Sequence, residues 1–438
     1  MAVNNLEVRG TAEAGGAVVP TRATSSNHDS SSTLGATCPY HGASAARRSQ
    51  PPGLPVLTAS PAVQHHDGNR ANVNSAAGVK AVLRAGDVAR QDGFGISEIA
   101  RSPVELRPPV LFQDGEEHRA QRTAIAHFFT PKAAKERYRP VMEELTEELI
   151  GEFEKTGKAD LSSMAMRLAV SVAAQVVGLT NSHRPGMHRR LDAFLSVGAA
   201  KLSWRPAAIR SFVKLQLGIL RFFQVDVKPA INARRAEPGD DVISHLIEQG
   251  AADRDILIEA ITYGAAGMVT TREFIAMAAW HMLEDDELRR RYLSGNEKER
   301  HDLLSEIVRL EPVVGRLFRR LEGELEVPTP DGPLTLPHGT RLDLDIRSAN
   351  ADESAVGPHP LCLDPDRELP GRGVQRYGYS FGDGQHRCPG SFLALEESDV
   401  FLHRLLSLEG LRIVRAPDVS FNDVVQGYEL RDFQVGLG

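Results

Sequence analysis

The stretch YSFGDGQHRCPGSFLALEESDVFLHRLL (379–406) decides how the rest of this chain is read. Gly382, Gly384 and Gly390 surround Cys388, so the backbone there turns sharply and approaches a ligand closely. Pro389 stands where the first residue of a helix would stand, a position proline favours. The following SFLALEESDVFLHRLLSLEG (391–410) has helical character, which puts Cys388 just ahead of a helix N-terminus. The positive end of that helix and its free N–H groups favour a thiolate over a thiol. A lone thiolate, with no second Cys or His at zinc spacing, fits a metal whose other ligands come from a prosthetic group. Haem is the main example.

Upstream, DRDILIEAITYGAAGMVTTREFIAMAAWHMLEDD (253–286) reads as one helix about 50 Å long, enough to cross the molecule. Gly264 and Gly267 inside it cost roughly 1 kcal/mol each relative to alanine, so they serve close packing or a ligand groove. Helical periodicity dominates from about residue 78, as in the stripe Leu145, Leu149 and Phe153. Residues 319–346 alternate apolar and polar side chains around a PDG turn and predict a small antiparallel sheet. Residues 349–380 read as loop, and no internal repeat is present. The class is mainly α with minor β.

At 438 residues, 41% hydrophobic and 25% charged, the composition is that of a globular protein. A net charge of −7 gives no global attraction to nucleic acid. Cys38, Cys362 and Cys388 are too few and scattered for a disulfide framework, so a reducing, cytoplasmic setting without cross-links is expected. No run of 18 apolar residues predicts a membrane anchor, and the N-terminus lacks the pattern of a signal peptide. Residues 1–52 read as a disordered tail and 53–438 as one domain. Within the tail, CPYHG (38–42) offers only Cys38 and His41, too few ligands for a metal site.

FGDGQHRCPG resembles the haem-binding signature of the cytochrome P-450 family, with Phe381, Gly384, His386, Cys388 and Gly390 on the signature positions. The resemblance covers roughly residues 55–438 and implies a triangular helical body with a long central helix and small antiparallel sheets. Glu306 and Arg309 lie three apart in LLSEIVRLEP, which by itself describes a surface pair contributing about 0.2–0.5 kcal/mol. The resemblance makes them a buried network with Arg367 of LDPDREL (363–369). Ala266-Gly267-Met268-Val269-Thr270-Thr271 resembles the family's oxygen-activating segment, with Thr270 as the alcohol and Thr271 as its substitute. Val269 stands where the family carries an acid, and Glu273 lies one turn further along. His118 and Arg122 of DGEEHRAQRTAIAHFFTP (114–131), with Arg319 and His386, resemble haem-propionate contacts. Arg316 and Arg320 compete with Arg319 for that place.

The family resemblance implies haem b (iron protoporphyrin IX) ligated by Cys388. It implies dioxygen activation that places one oxygen atom in a substrate and releases the other as water. Electrons would come from NAD(P)H through ferredoxin reductase and ferredoxin, the latter facing Arg372, Arg376 and Arg387. The substrate would be a lipophilic or aromatic small molecule of secondary metabolism. By analogy its pocket takes the 85–105 loop, the 187–215 helices, Tyr263, Met268, Val313, Val314, Gln426 and Tyr428. Because of Val269, peroxide-driven, coupling or rearrangement chemistry is the alternative. A non-catalytic haem sensor or ligand-binding protein is the alternative of another class.

Overall fold

The structure is a computed structural model that describes residues 38, 40, 61–66, 69–94, 107–195, 206–370, 375–422 and 427–438. Its longest helical run has three parts in one continuous right-handed path: Asp253–Tyr263, a widened turn over Gly264–Val269, and Thr270–Glu284. The run ends at Glu284, and Asp286–Ser294 forms a separate helix capped by Asp285. Every residue from Thr271 to Met282 is buried, because helices Leu161–Val177 and Ser391–Leu406 both pack against this segment. Helix Arg139–Thr156 covers Ser391–Leu406 on another side and stops at Gly157, whose φ of 67° supplies the left-handed cap. Together these helices enclose the larger apolar core.

Helix Glu297–Leu310 begins where Asn296 and Glu299 cap each other's backbone N–H groups, a signal visible in the sequence N-E-K-E. Its last two turns are wholly buried, which places Glu306 and Arg309 inside the protein.

A five-stranded sheet lies over a second, smaller core. Its order is Val63–His66, Arg70–Val73, Arg341–Asp345, Arg316–Leu321, Ala89–Asp92. The expected antiparallel pairing of 316–321 with 341–345 is present. One pairing differs: Arg70–Val73 runs parallel to Arg341–Leu344. Smaller antiparallel ladders join 325–327 to 334–336 and 418–422 to 427–431.

One expectation about the cysteines is corrected. Cys38 and Cys362 form a disulfide, with 5.3 Å between their Cα atoms, so two of the three cysteines are cross-linked. Cys38 and Tyr40 are half-buried, and Tyr40 packs against the main core. The remainder of residues 1–52 lies outside the described residues. Among the described residues no helix is long and apolar enough to cross a membrane.

Candidate active site

Cys388 leads the helix Ser391–Leu406 and is the free cysteine of the chain. Its N–H donates to the Phe381 carbonyl (2.8 Å), closing the loop between them. Gly384 has a φ of +65°, and a Cβ there would stand 2.1 Å from the Leu83 carbonyl oxygen, so only glycine fits. Arg84 and Asp383 pair at 2.7 Å and tie this loop to the helix Ala76–Leu83.

The electrostatics differ from the thiolate expectation. Burial pushes the Cys388 thiol up, while the Gly390 N–H, Arg122 and Arg387 pull the other way. Burial and the helix N-terminus thus act on this sulfur in opposite directions. Cys388 retains accessible surface.

The long helix carries a second exposed surface. Ala266 and Gly267 are exposed at the middle of a run buried further along, and a Cβ on Gly267 would meet nothing within 4 Å. The widened turn there is the local opening that the paired glycines suggested. Thr270 Oγ1 donates to the Ala266 carbonyl at 2.6 Å. Tyr263 and Cys388 both lie within electrostatic reach of Arg122 on the helix Gly115–Ile125.

Four cationic or basic groups gather beside the cysteine loop. The rings of His118 and His386 stack with centroids 4.2 Å apart. His118 is 1% exposed, its Nδ1 has no partner, and burial followed by His386 and Arg122 pushes its pKa down to about 4. Arg122 donates to the Arg387 carbonyl at 2.5 Å. Arg319 is 3% exposed and donates to its neighbour's carbonyl, that of Phe318; burial, partly offset by Asp114, pulls its pKa to about 10. Arg316 pairs with Asp343, and Arg320 with Glu322, so among these three Arg319 is the buried one without a carboxylate at ion-pair distance.

Such a set fits a flat, dianionic cofactor. The desolvated guanidinium, the orphaned imidazole nitrogen and the open face over Gly267 each supply what haem needs at its carboxylate edge and its plane. Leaving Arg319 charged in a dry site costs on the order of 3 kcal/mol from the size of its shift. Arg319→Leu is therefore expected to raise the melting midpoint of the haem-free chain and lower that of the haem-loaded chain. Parallel thermal melts of both forms check the opposite signs.

Glu306 binds Arg309 through two contacts of 2.6 and 2.7 Å and Arg367 through one of 3.3 Å, all three residues being buried. Arg367 further donates to the carbonyls of Val356, Pro358, His359 and Cys362. Val313 is buried in the main core and Val314 is half-buried next to it. Met268 is fully buried in the same core, so it packs there and does not line the opening at Gly267. Gln426, Arg372 and residues 95–105 of the expected pocket loop lie outside the described residues. Arg376 is spent on the Pro365 and Arg367 carbonyls, and Arg387 on the Tyr377 hydroxyl.

Two acids escaped the sequence reading. Asp114 accepts from His386 Nε2 (3.1 Å) and from the Gln91 N–H (3.3 Å), joining cysteine loop, sheet and helix Gly115–Ile125. Glu397 is 4% exposed on the helix after Cys388 and accepts from the Thr271 hydroxyl. Burial pushes its pKa up to about 8. Glu273 holds Arg272, Arg431 and the Leu430 N–H, and is thereby committed to structure.

The family model described as Cytochrome P450 matches residues 301–409. Nocardicin C N-oxygenase of Nocardia uniformis subsp. tsuyamanensis is 30% identical over 352 residues, 78% of this chain and 82% of that protein. Mycinamicin IV hydroxylase/epoxidase of Micromonospora griseorubida is 29% identical, covering 76% of this chain and 81% of its own. The crystal structure of CalO2 superposes with a TM-score of 0.70 at 22% identity, over 86% of this chain and 92% of that one. With a cysteine loop, a cluster of buried basic groups beside it and a buried Glu-Arg-Arg network in one fold, the chain belongs to the cytochrome P450 family of haem-dependent monooxygenases.

Proposed function

We propose that this chain holds haem b with Cys388 as its thiolate ligand and oxidises a lipophilic small molecule of secondary metabolism in the cytoplasm, using dioxygen and electrons from a ferredoxin. The observation that carries the proposal is Arg122, which lies within electrostatic reach of both the free Cys388 and Tyr263 of the long helix. Haem bound through a thiolate supplies the reductive activation of dioxygen. His118, Arg122 and Arg319 would bind its carboxylates through charge-assisted hydrogen bonds.

The remaining work falls to this chain's own groups. Thr270 keeps the widened turn open through its bond to Ala266. Thr271 is hydrogen-bonded to Glu397, whose carboxyl keeps its proton at neutral pH. Glu397 thereby takes the proton-holding task for which Val269 has no chemistry. The two relatives named above carry out an N-oxygenation and a hydroxylation/epoxidation, judging by their names, which supports a small-molecule substrate. With Arg376 and Arg387 engaged in intramolecular bonds, a ferredoxin surface would draw on other cations as well.

The reduced carbon-monoxide spectrum tests the first link. A Soret band at the thiolate position is expected and Cys388→Ala should abolish it; protein that takes up no haemin, or holds iron by nitrogen, ends this reading. Val269 supports peroxide-driven, coupling or rearrangement chemistry as the second reading. Product formed with peroxide, but not with NAD(P)H, reductase and ferredoxin, would select it, and spectral binding with no product under either supply would indicate a sensor.

A further inference from the structure

The disulfide joins two segments 324 residues apart, and it ends on the network that braces the cysteine side of the fold. Cys362 is 3% exposed. Its carbonyl accepts from Arg367 at 2.9 Å and Arg309 at 3.3 Å, so the cross-linked residue is itself a partner of both buried arginines. Its N–H donates to His359, whose carbonyl also accepts from Arg367. A second fastening stands beside the first. Tyr40 hydrogen-bonds to Arg291, which pairs with Asp366 at 2.5 Å, next to Arg367 in the chain.

We propose that the Cys38–Cys362 bond is a thiol-responsive latch. Closed, it clamps the Cys38–Tyr40 segment onto the loop that presents Cys362, Asp366 and Arg367; opened, it leaves that loop held by non-covalent contacts alone. Opening is a two-electron reduction. A dithiol attacks one sulfur, the S–S bond breaks, two thiols form with two protons, and the dithiol closes to its own disulfide. Thiol buffers of the kind that keep cytosolic cysteines reduced would open it, and an oxidising setting would close it. The loop it closes spans 324 of 438 residues, and long loops are the case in which a cross-link restricts the unfolded state most.

The test uses the full-length, haem-loaded protein. In untreated, denatured protein one cysteine should react with iodoacetamide, and three after dithiothreitol, with a cross-linked peptide pair containing Cys38 and Cys362. Dithiothreitol should lower the melting midpoint by about 5 °C. The Cys362 and Arg367 amides, bonded to His359 and Asp364, should then exchange hydrogen roughly 10-fold faster. Cys38→Ser should start at the lowered midpoint and not respond to dithiothreitol. Three reactive cysteines in untreated protein would overturn the proposal. So would an equal response to dithiothreitol in wild type and Cys38→Ser.

Discussion

Glu306→Ala should cost about 3–5 kcal/mol of stability, enough to leave much of the chain unfolded at growth temperature. One carboxylate serves four donors here: two on Arg309, Nε of Arg367, and the Asp364 N–H at 3.1 Å. Both arginines are buried, so removing the acid strands two desolvated cations that lack any replacement anion. The comparison that isolates burial is Glu287–Arg290, which has the same spacing of three residues at 2.8 Å but stands 66% and 71% exposed. Glu287→Ala should change stability by no more than about 0.5 kcal/mol. Urea unfolding of both variants gives the contrast, and losses of similar size would show that the buried network has no special weight. Glu306→Gln refines the reading. It keeps the side-chain shape and an acceptor oxygen while removing the charge, so a loss close to that of alanine assigns the cost to electrostatics.

The same contrast explains what could be read from sequence. Glu306, Arg309, His118 and Arg122 sit at short helical spacings, and Cys388 sits in a run of glycines and proline. These are local patterns, and each falls on the element expected of it. Pairings distant in sequence were not legible. Strands Val63–His66, Arg70–Val73 and Ala89–Asp92 are four residues each and carry few apolar positions, and their partners lie far along the chain. Cys38 and Cys362 are 324 residues apart, and composition alone spoke against joining them. Met268 shows the limit of face assignment. One step along a helix turns a side chain by about 100°, so the neighbour of an open glycine packs into the core. No local pattern in the sequence marks Asp114 ahead of GEEHRA, or Glu397 within the pair Glu396–Glu397. Only the fold sends Glu396 to Arg139 and Glu397 to Thr271.

That difference makes Glu397 the source of the largest pH effect expected. Its carboxyl moves from 4.5, the ordinary value, to about 8, chiefly because burial disfavours the anion and the Thr271 hydroxyl offsets only part of that. Between those values the folded chain holds a proton that the unfolded chain has released. Stability is therefore full below about pH 4.5 and declines as pH rises to about 8, by roughly 4–5 kcal/mol in total. Glu397→Gln removes the titration and keeps a neutral group able to accept from Thr271. Its unfolding free energy should change less than wild type between pH 5 and 8, with the variant more stable at the alkaline end. Thr271→Ala should leave the slope in place, since burial of Glu397 persists without its partner. Urea unfolding at closely spaced pH values reads these slopes in haem-free protein, separating the buried acid from any effect on oxygen chemistry. A wild-type slope identical to that of Glu397→Gln would mean that the carboxyl is ionised inside the fold, and would remove it as the proton store proposed in place of Val269.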